Sequence, residues 1–145
     1  SALVADVEML PDGAAGRALD RALAAAAVDL AIDRHAGRLE VVQTVNGPVT
    51  VQHGKDLGAV TTVIGTGGVL AHGGDGESIL CAALAMEGDA ATLRPRSPRL
   101  LIDRDYLLYA VGLLADADAD AALALANNTL QPVEGVSEHD RLPAA

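Results

Sequence analysis

A β-branched run that leads directly into a glycine-rich turn constrains the fold of this chain more than any other sequence feature. Residues 60–64 read Val-Thr-Thr-Val-Ile, and Gly65-Thr66-Gly67-Gly68 follow without a break. The run is polar only at its threonines, which favours a strand covered on both faces, as in a parallel or mixed sheet. Because residues 69–72 fit one helical turn, the segment predicts a strand, a turn and a helix, as in α/β proteins.

A long helix is predicted upstream of this segment, from residue 17 to residue 35, because leucines and small residues recur there at helical spacing. Gly37, just past the last periodic residue, is the expected stop. The residues expected to face inward are Leu19, Leu23, Ala26 and Leu30, with Val28, Ile32 and His35 widening that face.

A β-hairpin and three further helices complete the expected architecture. The hairpin pairs residues 39–43 with residues 49–52 through turn chemistry at Asn46-Gly47-Pro48. A strand is expected at 100–102, and helices are expected at 77–86, from 104 or 105 to about 115, and from the aspartates at 116–120 to about 127 or 128. The expected fold class is α/β, a small mixed sheet flanked by helices and accompanied by a β-hairpin.

Composition excludes several classes of protein. The chain has 145 residues, 10 Lys and Arg against 20 Asp and Glu, a net charge of −10, and two aromatic residues. This length suggests one domain, and the negative charge without an aromatic platform disfavours nucleic-acid binding. Charged residues interrupt the longest apolar run, Asp6 and Glu8 stand where a signal peptide would be basic, and Cys81 is the only cysteine. We therefore expect a soluble cytoplasmic chain without a membrane segment.

The turn at residues 65–68 is the sharpest candidate binding site. Glycines let the main chain approach a ligand closely, and amides at a helix start favour a phosphate or another anion. A dinucleotide fingerprint would have Gly or Ala where Leu70 stands, and a P-loop would end in Gly-Lys-Ser or Gly-Lys-Thr, so both motifs are excluded. Two interpretations remain open: a nucleotide-binding turn, or a closely packed strand-to-helix turn in which Thr66 only caps the next helix.

Lys55 and Asp103 are weaker candidates for ligand contact. Lys55 is the only lysine, and from a turn it could reach a phosphate, although a solvated turn residue is the simpler interpretation. Asp103 could orient a ribose or a magnesium ion, but an aspartate just before a helix is first of all an N-cap. The cap is the favoured interpretation.

Other residues are expected to be structural. Tyr106 and Tyr109 follow helical spacing and are expected in or at the edge of the core, and Gly112 suggests close packing of the same helix. Cys81 is expected to be a buried thiol. A solvated loop is expected to hold the basic cluster Arg94, Arg96 and Arg99. No metal site is expected, because no known ligand array matches His72, Asp75 and Glu77.

Four sequence blocks, in order along the chain, carry a family resemblance. They are Ile32-Asp33-Arg34-His35-Ala36-Gly37, Val51-Gln52-His53-Gly54-Lys55-Asp56-Leu57, Val63-Ile64-Gly65-Thr66-Gly67-Gly68-Val69-Leu70, and Leu101-Ile102-Asp103-Arg104-Asp105-Tyr106-Leu107 with Ala110-Val111-Gly112-Leu113-Leu114. With these blocks the chain resembles, from about residue 17 to residue 130, the MutL-type proteins associated with glutamate mutase. Those proteins are unrelated to the mismatch-repair proteins of the same name.

The resemblance implies an actin-like (RNase H-like) ATPase lobe, in which a strand and a Gly-Gly turn form the adenosine motif, here at residues 63–68. The residues expected to bind the nucleotide are Gly65, Thr66, Gly67, Gly68 and Val69, with Lys55 and Asp103 as further candidates. The implied role is to protect or reactivate an adenosylcobalamin-dependent mutase such as glutamate mutase, with ATP driving release of damaged cofactor.

The resemblance also implies parts that the chain lacks. The acidic-glycine phosphate hairpins of such ATPases are not found in residues 1–30, so we expect a C-terminal piece of a longer protein. Its expected divisions are a lead-in at 1–16, the ATPase-lobe part at 17–130 and a mobile tail at 131–145. ATP and magnesium are expected only with the missing lobe, the chain alone is expected to be inactive, and no catalytic residue is assigned. The alternative is an interaction scaffold without a nucleotide site, which contacts a mutase or another copy of itself.

Overall fold

A computed structural model describes residues 12–133, which form two small sheets and five helices. The helices are α1 (Gly13–His35), α2 (Gly68–His72), α3 (Gly76–Cys81), α4 (Leu108–Ala115) and α5 (Ala119–Thr129). The strands are β1 (Arg38–Thr44), β2 (Gly47–His53), β3 (Thr62–Gly65), β4 (Arg99–Asp103) and β5 (Leu130–Pro132). Most of the expected lead-in and tail lies outside the described residues. No helix within 12–133 is long and apolar enough to cross a lipid bilayer.

The two sheets confirm the predicted α/β class and its hairpin. Strands β1 and β2 pair antiparallel around residues 45 and 46. The second sheet has the order β3-β4-β5, with β3 parallel to β4 and β5 antiparallel to it. In the parallel pair Val63 lies opposite Leu100 and Gly65 opposite Ile102. The carboxyl ends of β3 and β4 therefore meet at one edge of the sheet.

The hydrophobic core forms where α3 and the residues after it pack against β4. Its buried side chains are Leu80, Cys81, Leu84, Leu100 and Ile102. The chain contains no Phe and no Trp, so aliphatic side chains fill this space. The prediction that the Cys81 thiol is buried is confirmed.

Helix α1 packs on a different face from the one its leucines predict. Leu19, Leu23 and Leu30 are each about half exposed, and Ala25 is the one fully buried residue of the helix. The helices that pack against α1 are α2 and α3, which are only five and six residues long. Two such short helices cover a narrow stripe, so the leucine face of α1 stays uncovered in residues 12–133. His35, expected on the inward face, is also exposed.

Gly37 does not act as the expected left-handed helix stop. The helix ends at His35, and Ala36 is already extended. The Gly37 amide donates a hydrogen bond to the Lys55 carbonyl oxygen at 2.6 Å. A Cβ at Gly37 would lie 2.3 Å from the His53 carbonyl oxygen, so this glycine is required for close approach of the hairpin.

Several observed elements differ from the predicted ones in their bounds, and one was not predicted. The helix expected at 77–86 ends at Cys81, because the amides of residues 82–84 bond three residues back and the Ala85 amide turns to the Pro95 carbonyl. The helix expected from 104 or 105 begins at Leu108. Strand β5, including Gln131 at the start of the expected tail, was not predicted from the sequence.

The position of Arg94 differs from the expectation that a solvated loop holds the basic cluster. Its side chain is only 11% exposed, and its guanidinium donates to the Asp29 carboxylate at 2.6 Å and to the Asp33 carboxylate at 3.3 Å. Further bonds reach the backbone carbonyls of Asp29 at 3.2 Å and Ala82 at 3.4 Å. This one side chain therefore joins α1 to the chain that follows α3.

Replacing Arg94 with methionine is expected to lower the free energy of unfolding by about 1–3 kcal/mol. Hydrogen bonds to charged groups contribute about 1.5–3 kcal/mol each, and the solvent reaching the two half-exposed carboxylates offsets part of that loss. Urea unfolding at pH 7 measures the change. Arg99→Met is the matched control, because Arg99 is exposed, and we expect it to change stability by less than ~0.5 kcal/mol. Equal effects of the two substitutions would contradict the role given to Arg94.

Candidate functional site

The glycine-rich turn lies at the carboxyl edge of the parallel strand pair. Gly65 is the last residue of β3, and Asp103 is the last residue of β4, its hydrogen-bonded neighbour. In α/β sheets, ligands bind outside the carboxyl ends of parallel strands, where the following loops and helix starts offer free backbone groups. The predicted strand, turn and helix are therefore present, and they occupy a position that suits ligand binding.

The glycines of this turn serve two different purposes. Gly65 is buried, and a Cβ there would lie 3.1–3.2 Å from the side chains of Leu70 and Leu80. Gly67 has φ +115° and ψ 153°, a conformation essentially restricted to glycine, and Gly68 begins α2. No described atom lies within 4 Å of a Cβ built at Gly67 or Gly68. The packed-turn interpretation thus holds at Gly65, whereas Gly67 and Gly68 leave open space at the surface.

The carboxylate of Asp103 joins the turn to the helices behind it. The side chain is fully buried. Its Oδ2 accepts hydrogen bonds from the Thr66 hydroxyl at 2.9 Å and the Leu108 amide at 2.9 Å. Its Oδ1 accepts from the Leu107 amide at 3.0 Å and from the Thr129 hydroxyl. The predicted N-cap role is therefore wrong in position: the N-cap residue of α4 is Leu107, and Asp103 accepts from the first amides of the helix while lying upstream of that position.

The same contacts determine the charge state of Asp103. Burial is the largest single influence and would by itself raise the pKa. Opposing it are hydrogen bonds from the Thr129 hydroxyl, the Leu108 and Leu107 amides and the Thr66 hydroxyl. Together they hold the pKa of Asp103 below 3.8, its ordinary value, so the carboxylate is ionised at neutral pH.

Lys55 and Val69 have different relations to the turn. Lys55 is exposed, and its carbonyl pairs with Gly37 beside the hairpin. No hydrogen bond or ion pair described within residues 12–133 joins Lys55 to the turn. Val69 follows Gly68 in α2 and is about one-third exposed. The structure therefore groups Val69 and Asp103 with the glycines, and it does not bring Lys55 to them through a described contact.

A small cavity beside α2 was not predicted from the sequence. It has a volume of about 130 Å³ and is lined by Arg17, Asp20, Arg21, Val69, His72, Gly73, Asp75 and Ile79. A cavity of this size can hold one small ring. Arg21 forms an ion pair with Asp75 at 3.7 Å, whereas Arg17 has no ion pair among the described residues. The sequence feature that could have indicated this cavity was the spacing of Arg17 and Arg21, which lie four residues apart on one predicted helix.

The loop after β4 and the first turn of α4 each present one tyrosine to solvent, contrary to the predicted core position. Tyr106 is 46% and Tyr109 65% exposed, and their rings lie 6.2 Å apart in an edge-to-face arrangement. Tyr106 has φ +54°, and it is the one non-glycine residue in 12–133 with a positive φ. Such a conformation costs about 1–3 kcal/mol and is found most often at functional sites. Gly112 is likewise exposed, with no atom within 4 Å of a built Cβ, so the predicted close packing is wrong.

Two acidic side chains near the turn, Glu77 and Asp75, form ion pairs with arginines. Glu77 forms a 2.5 Å ion pair with Arg104, which ties α3 to the loop after β4. Asp75 pairs with Arg21. Across the described part of the chain, no group of three or more His, Cys, Asp or Glu side chains could hold a metal ion.

Replacing Asp103 with asparagine is expected to lower the free energy of unfolding by about 2–4 kcal/mol at pH 7. An asparagine offers one acceptor oxygen, so two of the four donors would face its amide NH₂, and a buried donor without a partner costs about 1–3 kcal/mol. Chemical denaturation measures the loss. The matched control is Asp105→Asn on an exposed aspartate two residues away, which should change stability by less than ~0.5 kcal/mol.

The pH dependence of stability should also change in the Asp103→Asn variant. Because the folded-state pKa is lowered, the unfolded chain binds more protons in acid, so stability rises with pH through this range. The contribution is complete above the unfolded pKa near 3.8 and is lost as the pH falls through the lower folded value. Denaturation between pH 6 and pH 2 should therefore give a steeper acid loss for the unsubstituted chain than for the variant. If the stability of both proteins fell equally with pH, the lowered pKa assigned to Asp103 would be contradicted.

Comparison with known proteins places the chain in a family. Residues 1–130 match the family model described as MutL protein. The chain is also 39% identical over 127 residues to Protein MutL of Clostridium tetanomorphum, an alignment that covers 88% of this chain and 28% of that protein. No solved structure matches the chain. The family resemblance predicted from four sequence blocks is thus confirmed, and the chain belongs to the MutL protein family.

Proposed function

We propose that this chain supplies the adenosine-binding part of an actin-like ATPase. The observation that carries the proposal is the open turn at Gly67 and Gly68, which lies at the carboxyl edge of a parallel strand pair. A main chain without side chains in this position lets a planar nucleoside lie against it. The chain spans 28% of the length of the Clostridium relative, so the phosphate-binding parts are proposed to belong to the longer protein.

Each residue of the turn has a distinct role in this proposal. Gly67 and Gly68 offer backbone surface and amides to the nucleoside and its first phosphate. Thr66 donates its hydroxyl to Asp103, so it holds the turn in place from behind. All four hydrogen bonds of Asp103 come from the protein itself, and we therefore assign it a positioning role rather than ligand contact. The cavity beside Val69 adjoins the turn and extends the available surface.

Magnesium is proposed to enter with ATP, and no described side chain is assigned to it. Lys55 remains a candidate only for a ligand that extends well beyond the turn, because its described contacts lie at the hairpin. The chain alone is proposed to bind nucleotide weakly and not to hydrolyse it, since the phosphate-binding parts are proposed to belong to the longer protein.

The biological role proposed for the whole protein is that of an accessory factor for an adenosylcobalamin-dependent mutase such as glutamate mutase. Membership of the MutL family and the four sequence blocks support this role. In this account ATP binding and hydrolysis drive release of damaged cofactor from the mutase. An actin-like ATPase lobe belongs to the α/β class, and the two sheets and five helices observed in residues 12–133 agree with that class.

The alternative function is an interaction scaffold with no nucleotide site. Exposed leucines on α1 and exposed tyrosines beside α4 favour it, because large apolar side chains grouped at a surface often mark protein contacts. The two functions make different demands on the turn. A scaffold requires only that the turn connects β3 to α2, whereas the ATPase requires its outer surface to be free.

Replacing Gly68 with valine in the full-length protein is expected to weaken ATP binding at least ~10-fold, about 1.4 kcal/mol. The valine would occupy open space that the nucleoside needs, and Gly68 has no positive φ that the substitution would strain. Calorimetric titration with ATP and magnesium measures the affinity. Gly67 is a poorer choice, because its φ of +115° would strain any other residue.

Gly112→Val is the matched control for this titration. Gly112 also has an ordinary φ and open space around it, but it lies in α4. It should leave ATP affinity unchanged. Full affinity in the folded Gly68→Val protein would reject the adenosine site and leave the scaffold as the better account.

A further inference from the structure

An apolar surface at the start of α4 has no cover within residues 12–133. We call it the tyrosine patch, and its members are Tyr106, Tyr109 and Leu113, which are 46%, 65% and 76% exposed. The two tyrosine rings lie edge to face, and Leu113 follows Tyr109 by four residues on the same face of the helix. Helix α4 reads Leu-Tyr-Ala-Val-Gly-Leu-Leu-Ala, and none of its residues is fully buried. An entirely apolar helix on a protein surface is unusual, because such helices are normally covered by other elements.

Gly112 adds an observation that packing within the chain does not explain. It lies three residues after Tyr109, so the two residues share a face of the helix. A glycine inside a helix weakens the helix relative to alanine, and here no described neighbour requires the missing side chain. A glycine in the middle of an exposed apolar surface lets a partner's backbone approach closely.

The unpaired charges of this part of the chain all have one sign. Residues 105–133 contain Asp105, Asp116, Asp118 and Asp120 but no Lys, Arg or His, and the charge of Arg104, just before this range, is paired with Glu77. Asp118 caps α5, and none of these aspartates forms an ion pair with another described residue. An acidic border repels nucleic acid and anionic membranes, and two copies facing each other through this patch would place acid against acid.

From these observations we propose that the tyrosine patch is the docking surface for a protein partner with an apolar centre and a border of lysine and arginine. Tyrosines are enriched at the centres of protein interfaces, and complementary charge at the border speeds and orients association. The strained backbone of Tyr106 fits this role, because it holds an aromatic ring at the surface. Resting on the proposed function, the inference identifies the adenosylcobalamin-dependent mutase as that partner.

The test measures binding of the full-length protein to purified adenosylcobalamin-dependent glutamate mutase. Leu113→Ser should weaken binding at least ~10-fold, as expected for loss of a central apolar contact. Gly112→Gln should also weaken it at least ~10-fold by blocking close approach, yet it should raise the melting temperature, because glutamine favours the helix more than glycine. A variant that is more stable and binds less cannot owe its defect to misfolding.

Leu23→Ser is the matched control, because Leu23 is a half-exposed leucine on α1 outside the patch. It should leave mutase affinity within about twofold of the unsubstituted protein. Removing the bordering charges with Asp116→Asn and Asp120→Asn should reduce the salt dependence of binding. Leu113→Ser should retain ATP binding, since the proposed nucleotide surface lies at residues 65–69.

Chemical nitration of Tyr106 and Tyr109, located by peptide mapping, reports on the patch directly. Both should react with tetranitromethane in the free full-length protein and be protected in the complex. Tyrosines that are already protected in the free protein would overturn the proposal, because another part of the same protein would then cover the patch. A self-association lost in Leu113→Ser but kept in Leu23→Ser would overturn it in favour of a second copy.

The outcomes also separate this proposal from the proposed function. If the unsubstituted protein binds the mutase and the patch variants bind equally well, the docking surface is wrong and the mutase partnership stands. If the unsubstituted protein does not bind the mutase at all, the partnership itself fails and this inference fails with it. In either case the ATP titration of the Gly68→Val variant remains an independent result.

Discussion

The buried carboxylate of Asp103 is the interaction on which the candidate site depends. It accepts hydrogen bonds from the turn after β3, from the start of α4 and from the end of α5, three segments that are separated in sequence. A buried charge is tolerable only when such donors surround it, and here they keep it ionised. Without this carboxylate nothing described would hold the Thr66 side of the turn against the helices. The exposed position of Gly67 and Gly68 therefore depends on contacts made along the whole edge of the sheet.

A second set of contacts fixes the long helix α1 relative to this edge. Arg94 reaches α1 through two aspartates, and Arg21 reaches the loop before α3 through Asp75. Both arginines join α1 to other segments through ion pairs. The leucine face of α1 and the apolar face of α4 stay exposed in residues 12–133. The α4 face carries the tyrosine patch, whereas the glycine turn is suited to a small ligand.

Prediction from the sequence was most accurate for elements that are determined by residues close together in the chain. The strand, turn and short helix at residues 62–72 follow from β-branched residues, glycines and spacing, and they were predicted almost to the residue. It was least informative where distant segments meet. Strand β5 exists because it pairs with β4, and Arg94 is buried because two aspartates about 60 residues away receive it. The inward face of α1 was predicted wrongly because its large leucines were expected to be buried, while the short α2 and α3 decide which side is covered.

For the candidate site, the sequence predicted the glycines and Asp103 as candidates, but it did not predict the different contacts that each of them makes. Periodicity cannot show that Gly65 packs while Gly68 stays open, or that one carboxylate serves two helices and a turn. The most direct test of nucleotide binding at the turn is an NMR titration of the full-length protein with ATP and magnesium, observing backbone amides. We expect the largest chemical-shift changes at Gly67, Gly68 and Val69. Changes confined to the hairpin or to α5, with the turn amides unmoved at saturating ATP, would contradict binding at the turn.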